Sequence, residues 1–465
     1  MTVRNRTFKL VALAGFGAIG AASLFASGAP ALAAPTARPD IVGHIVGRFT
    51  GAQPPTSAQC LAANGLACYD PAQVEEHYHL DTVHDAGWTG AGKTIVIVDS
   101  YGSPTIQSDL RVFDATFHLP NPSLSIIQPV GAVPPFDPTN SAMVGWAEET
   151  TLDVEWSHAI APGAKILLVE TPVAETEGVV GFPQIIAAEN YVINHHLGDV
   201  ISQSFGATEA TFSSPDKILD LRSAYKNAAA HNVTVLGASG DNGATDSYFD
   251  GTCCFARQVN SWPSSDPLVT SVGGTELIPQ ANGNPESVSH DVVWQDPASI
   301  VGGPAGLTCC AGGGGPSHVF SRPAFQNSVA GVVGNHRGTP DISMSASLSG
   351  AVLVYWSFQP FGAGWFQIAG TSEASPIFAG IVAIADQLAG HDLGYLNPRL
   401  YALAETANNG LVDVTQGNNG LTFLDAHNGN TQTTVVGKSA GPGYDMASGL
   451  GTINAAVFIS ALAAH

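Results

Sequence analysis

Short apolar runs closed by a polar residue recur along this chain, with stretches of helical length between them. Lys93-Thr94-Ile95-Val96-Ile97-Val98-Asp99 is the clearest run. An unbroken apolar run of this length reads as a parallel strand buried on both faces, since a half-solvated strand would alternate. Similar runs lie at 165–170, 199–204, 233–238 and 268–272, and helical patterns at 145–161, 182–196 and 215–231. The alternation predicts an α/β fold: a doubly wound, mainly parallel sheet flanked by helices, with its site where polar strand ends meet the loops after them. Glycine-rich loops at 302–315, 417–420 and 437–443 interrupt the later part. With no internal repeat and no second composition regime, residues 68–465 read as one large domain.

The first residues follow a different pattern. Arg4, Arg6 and Lys9 precede an apolar run at 10–26, and Ala31-Leu32-Ala33 offers small residues for cleavage. Residues 1–33 are therefore expected to be a secretory signal peptide, in preference to a retained membrane anchor, and the mature protein to be secreted. Residues 34–67 read as a short leader, Pro/Ala/Thr-rich and mobile to about Ser57. No later run is long and apolar enough to span a bilayer, so no stable membrane association is expected after cleavage.

Charge narrows the partners. The chain has 16 Lys and Arg against 38 Asp and Glu, a formal charge of −22, which becomes −25 once Arg4, Arg6 and Lys9 are removed. Nucleic acid is a poor partner for such a surface, and a mildly acidic medium relieves its self-repulsion. Six cysteines in a secreted chain point to disulfides, with Cys60–Cys68 as a local pair. The doublets Cys253-Cys254 and Cys309-Cys310 could bridge to one another; zinc is the rival, but neither doublet has metal-ligand spacing.

The chemistry gathers at four places. Gly370-Thr371-Ser372-Glu373-Ala374-Ser375-Pro376 runs into the apolar stretch Ile377–Ile384, which puts the Ser372 hydroxyl near a helix N-terminus. There the macrodipole and unpaired N–H groups favour developing negative charge, as a nucleophilic serine requires. A capped core helix is the plainer reading of the heptapeptide alone. Glu149 and Asp153 are four residues apart, on one helical face, with no Lys or Arg close by in sequence to offset them. In a dry site such a pair shares a proton; on a solvated face it does nothing. Asp241 follows an apolar strand inside the glycine-flanked turn Ser239-Gly240-Asp241-Asn242-Gly243, as a site residue or an Asx-turn. A serine nucleophile normally works with histidine, yet none of the 15 histidines is followed by glycine, and only His158 lies near the carboxylate pair in sequence.

Taken together and in this order, Glu149-x-x-x-Asp153, Ser239-Gly240-Asp241 and Gly370-Thr371-Ser372-x-x-x-Pro376 resemble the sedolisin family of serine-carboxyl peptidases. The resemblance covers about residues 70–465. It implies a subtilisin-like fold in which Glu replaces the catalytic histidine: Ser372 as nucleophile, Glu149 as general base, Asp153 as its proton-sharing partner, and Asp241 as a protonated oxyanion donor. Asp99, at a strand end, falls where some members carry an acid that extends the proton network; it could equally be structural. Ser204-Phe205-Gly206 looks like the segment that pairs with a polypeptide substrate, with Phe205 where some relatives have Trp. The family's calcium site resembles Asp413, Val414, Gly441, Gly443 and Asp445: two carboxylates and three backbone carbonyls, suited to one structural Ca2+. The family also implies a large pro-domain, for which residues 34–67 are too few.

The expectation is a secreted, acid-acting, monomeric endopeptidase. A tripeptidyl-peptidase of the same family and a catalytically silent, calcium-stabilised binding protein are the alternatives.

Overall fold

The computed structural model describes residues 44–280 and 287–465. The expected signal peptide and the start of the leader lie outside these residues. Eight strands form the main sheet: β1 (Thr94–Ser100), β2 (Ser123–Ile127), β3 (Lys165–Thr171), β4 (Val200–Gln203), β5 (Thr234–Ala238), β6 (Thr270–Pro279), β7 (Val288–Val293) and β8 (Ile342–Ser345). Their order is β7-β6-β5-β4-β1-β3-β2, with β8 also beside β6. Every pairing is parallel except β6 with β7, which is antiparallel. This is the doubly wound sheet the apolar runs predict.

Three helices stand against this sheet near the carboxylate pair and the serine: α1 (Ser141–Ile160), α2 (Phe182–Asn194) and α3 (Thr371–Ala389). Asn140 starts α1, its side chain accepting from Ala142 N and Met143 N, and the chain leaves at Ala161-Pro162-Gly163. α1 is buried on every face from Trp146 to Ile160, as is α3 from Thr371 to Asp386, and the two pack against each other. A helix buried all round is a core element, so the carboxyls of α1 are held away from water. The helix expected over 215–231 breaks at Arg222 into Pro215–Leu221 and Ser223–Ala230.

The leader needs correction. His44–Phe49 is a strand paired antiparallel with Gly364–Ala369, the strand that runs into α3. Ser57–Asn64 is a helix with a Thr56–Gln59 capping box, tied down by a Cys60–Cys68 disulfide. The folded part therefore begins before residue 68; a short strand against a sheet edge leaves too weak a pattern to be read in advance. Among the described residues no helix is long and apolar enough to cross a membrane.

Carboxyls are buried well beyond the site. Burial lifts Glu148 and Asp386 to about 8 and Asp114 to about 7. It raises Glu189 well above the usual range, and neither carboxyl oxygen of Glu189 has a hydrogen-bond partner. Groups raised on folding stabilise the protein fully below their unfolded values of about 4, and that contribution is lost as pH climbs through the folded values. The melting temperature of the Ser372→Ala protein should therefore fall steadily between about pH 5 and about pH 8.5; a constant or rising one would contradict this reading.

Candidate active site

The head of α3 lies beside the carboxyl ends of the central strands, and its sequence explains how it is held. Gly370 has φ 135°, a left-handed conformation that side chains rarely adopt, and a Cβ there would stand 2.7 Å from Asp241 Oδ2. Only glycine lets the Asp241 carboxyl come this close. Gly370 has no side chain to cap the helix, so Asp241 supplies the acceptor: Thr371 N and Thr371 Oγ1 both donate to Asp241 Oδ1, each at 2.8 Å. Thr371 Oγ1 also accepts from Gly240 N at 3.1 Å. The turn after β5 is thus locked to the first residue of α3.

Pro376 shapes the next contact. It has no N–H, so it cannot bond the carbonyl of Ser372 four residues back. That carbonyl instead accepts from Ser204 Oγ at 3.4 Å, and the same hydroxyl donates to Asp153 Oδ1 at 2.8 Å. One turn further along α3, Ser375 Oγ meets Ser202 Oγ of β4 at 2.9 Å.

Ser372, Glu149 and Asp153 are fully buried and Asp241 nearly so. Burial holds the Asp153 carboxyl well above its usual range; the charges of Asp99 and Glu149 push the same way and Ser204 opposes them. Burial lifts Asp99, at the end of β1, to about 7, with the Thr150 hydroxyl opposing and the Glu170 charge adding. Burial also lifts Asp241 to about 7, opposed by both Thr371 donors and reinforced by the Asp246 charge. The structure therefore brings the four residues of the sequence pattern, and Asp99, into one dry cluster of acids around a serine.

Histidine is absent from that cluster. Ser372 Oγ has no hydrogen-bond partner, and His158 bonds the Pro120 carbonyl at 3.1 Å, with Asp114 at 3.5 Å. Burial lowers the pKa of His158. A buried serine linked to carboxyls through Ser204 and Thr371, with no histidine bonded to it among the described residues, departs from the ordinary Ser-His-Asp arrangement.

Comparison with known proteins agrees. The sequence pattern of the subtilase family matches residues 141–418, more than half of the chain. Kumamolisin of Bacillus sp. (strain MN-32) is 30% identical over 83% of this chain, which spans 62% of kumamolisin's own length. Sedolisin of Pseudomonas sp. (strain 101) is 28% identical over 91% of this chain and 68% of its own. The solved structure of Pseudomonas sedolisin, a serine-carboxyl proteinase complexed with two molecules of pseudo-iodotyrostatin, superposes with a TM-score of 0.68 at 25% identity. It covers 86% of this chain and 99% of that one. The chain belongs to the sedolisin family. Its fold is accordingly subtilisin-like.

Ser204, Phe205 and Gly206 come directly after β4 and are all buried. The Phe205 ring turns inward, 6.2 Å from both Trp146 and Phe182, so it serves the core. Ala174 and Val179 of the loop before α2 pack into the same cluster. Glu177 of that loop accepts from Thr208 N at 3.0 Å and from the Thr208 and Thr211 hydroxyls.

Asp413 and Asp445 meet at one turn: Gly443 N donates to Asp413 Oδ2 at 2.8 Å and Gly441 N to Asp445 Oδ2 at 2.9 Å. Val414 O lies 3.4 Å from the Ser448 hydroxyl, which also donates to Asp445. Among the described residues no three His, Cys, Asp or Glu side chains gather as for a metal, so an ion here would depend on backbone carbonyls for the rest of its shell. Each cysteine doublet closes on itself, Cys253 with Cys254 and Cys309 with Cys310, a pairing the sequence leaves open. The doublets lie on different elements: one in the loop beyond the Asp241 turn, the other on the strand Thr308–Ala311.

Two buried carboxyls near the site were not singled out in the sequence: Glu373, directly after Ser372, and Asp246, five residues after Asp241. For Asp246 the available signal was a second acid in the same glycine-rich turn.

Proposed function

We propose that this chain is a serine-carboxyl peptidase that acts in acid on polypeptides outside the cell. The observation that carries the reading is the meeting of Ser372, Glu149, Asp153 and Asp241 at the head of α3, with no histidine on the serine. Ser372 Oγ attacks the scissile carbonyl while Glu149 takes its proton. Asp153, kept protonated by burial, shares its proton with Glu149, and Asp99 extends that pair. Asp241, neutral below about 7, donates a hydrogen bond to the oxyanion. The tetrahedral intermediate collapses as Glu149 returns the proton to the leaving amine. Water then hydrolyses the acyl-enzyme, with Glu149 again acting as base. The acids titrate together, so the pH profile belongs to the cluster. Strand-like pairing along Ser204–Gly206 would favour unfolded chains as substrates, since these can enter as a strand. The runner-up within the family is a tripeptidyl-peptidase, which would release tripeptides from a free N-terminus.

The carboxylates of Asp413 and Asp445 with the carbonyls of Val414, Gly441 and Gly443 would suit one calcium ion. Two carboxylates converging on a glycine-rich turn provide hard oxygen ligands and no nitrogen or sulfur. The ion would brace the C-terminal loops and take no part in the chemistry.

Casein digestion by the wild type should be fastest in acid and decline as pH passes about 7, where Asp241 ionises. The Ser372→Ala protein should retain its melting temperature and lose digestion by on the order of a thousandfold or more; retained digestion would reject Ser372 as nucleophile. Excess chelator should lower the melting temperature, because an ion that binds only the folded state at a hundredfold its Kd contributes about 2.7 kcal/mol. An unchanged melting curve would remove calcium from the account.

A further inference from the structure

A further acid stands at the carboxyl end of the main sheet, and the proposed reaction does not use it. Asp99 at the end of β1 and Glu170 near the end of β3 are register partners on adjacent parallel strands, so their side chains leave the sheet on the same side. That is the face of Ile95, Ile97, Ile166 and Leu168, which share one core with Leu152 and Trp156 of α1. Two contacts fix the Glu170 carboxyl. Gly102, in the loop after β1, has φ 75°, and a Cβ there would overlap Glu170 Oε1, so only glycine lets the loop close over this acid. Gln128, just past β2, donates from Nε2 to Glu170 Oε2 at 2.7 Å, while its Oε1 accepts from Val133 N at 3.1 Å.

The charges that each carboxyl feels put these acids in a line. Asp99 feels Glu170, and Asp153 feels both Asp99 and Glu149. Glu149, Asp153 and Asp99 are fully buried, whereas Glu170 keeps 7% of its surface in water. The proposed reaction needs one negative charge among the three buried carboxyls, and needs it on Glu149, which takes the proton of Ser372. Neighbouring carboxyls in a dry interior compete for that single charge. A negative Glu170 at the outer end makes Asp99 the worst place for it, because the repulsion falls with distance. We propose that Glu170 is a positioning residue for the base: its carboxylate, held by Gln128 beneath Gly102, keeps Asp99 neutral and the buried negative charge on Glu149. This role rests on the enzyme being a serine-carboxyl peptidase with Glu149 as its base.

The surrounding titratable groups leave this line to itself. On α1, Glu148 is lifted by burial to about 8 and stays neutral in acid. On α2, Glu189 acts on Tyr225, and on α3, Glu373 feels Asp241. Glu175, in the loop after β3, donates its amide to Ser100 Oγ at 3.2 Å. The Tyr101 ring packs on the opposite face of the sheet, with Val96 and Val98. Lys93 and Lys165 stand at the far ends of β1 and β3, and neither β2 nor β4 carries a titratable side chain. Burial raises Glu170 and Gln128 opposes it; with water on one side, Glu170 ionises ahead of Asp99.

The ratio of Glu170→Gln to wild-type kcat/KM in casein digestion, read from about pH 3 to about pH 7, tests the proposal. Near pH 3 the wild-type Glu170 is itself protonated, so the two enzymes should be closest there. As Glu170 ionises the ratio should fall, to about one tenth by about pH 6, which is what one pKa unit on Asp99 is worth. A ratio that stays constant, near one or well below it, would overturn the proposal, because a merely structural residue acts at every pH. In an Asp99→Asn background the outer place for the charge is gone, so adding Glu170→Gln should leave the profile unmoved; a ratio that still falls with pH would also overturn it. If Glu170→Gln does not fold, Gln128→Ala makes Glu170 harder to ionise. It should then lose rate only in the middle of the range, where Glu170 is charged in the wild type and neutral in the variant; an even ratio there overturns the proposal. Glu149→Gln separates the two readings. Digestion at the wild-type rate by this variant removes the base itself, whereas an inactive Glu149→Gln beside a flat Glu170→Gln ratio removes the inference alone.

Discussion

A buried helix N-terminus must find acceptors for its first N–H groups, and α3 finds one in the side chain of another segment. Asp241 takes both the amide and the hydroxyl of Thr371. That pair of hydrogen bonds fixes where β5 ends relative to where α3 begins. It places Ser372 one residue beyond the contact, and it needs Gly370 because a Cβ would press on Asp241 Oδ2. The other joints build on it. Pro376 frees the Ser372 carbonyl for Ser204, and Ser204 carries the link on to Asp153 in α1. Ser372, Glu149 and Asp153 are thus placed by the core of the molecule, on two buried helices, with Asp241 on the turn that meets the head of α3.

Desolvation, which places the groups in the same dry interior, also sets their charge. A carboxyl taken out of water prefers its proton, and the same cause acts on Asp99, Asp153 and Asp241 at the site and on Glu148, Glu189 and Asp386 away from it. Acid therefore favours both the fold and the protonation pattern that the proposed mechanism uses. The acidic composition has an interior share as well as a surface one.

Much of this was legible in the sequence where the physics is local. Parallel strands buried on both faces show as unbroken apolar runs, so β1, β3, β4, β5 and the start of β6 could be placed. The 149/153 spacing put two carboxyls on one face, the glycines around 241 marked a turn, and the apolar run after Pro376 marked a helix behind Ser372. Less could be read where a neighbour distant in sequence decides. His44–Phe49 becomes a strand only because Gly364–Ala369 lies beside it. Phe205 is committed to the core by Trp146 and Phe182, which no local pattern reveals. Asp246 looked like one acid among many until Ser261 and Asn242 were seen to converge on it. The pairing within each cysteine doublet likewise depended on where the surrounding loops fold.

The proposed acid catalysis requires Asp241 to be a neutral carboxylic acid in the working enzyme, and infrared spectroscopy can see that proton. The difference spectrum between the Ser372→Ala protein and the same protein carrying Asp241→Asn isolates the Asp241 carboxyl. A protonated carboxyl C=O band is predicted at about pH 5, replaced by carboxylate bands as pH passes about 7. Carboxylate bands already present at about pH 5 would contradict it.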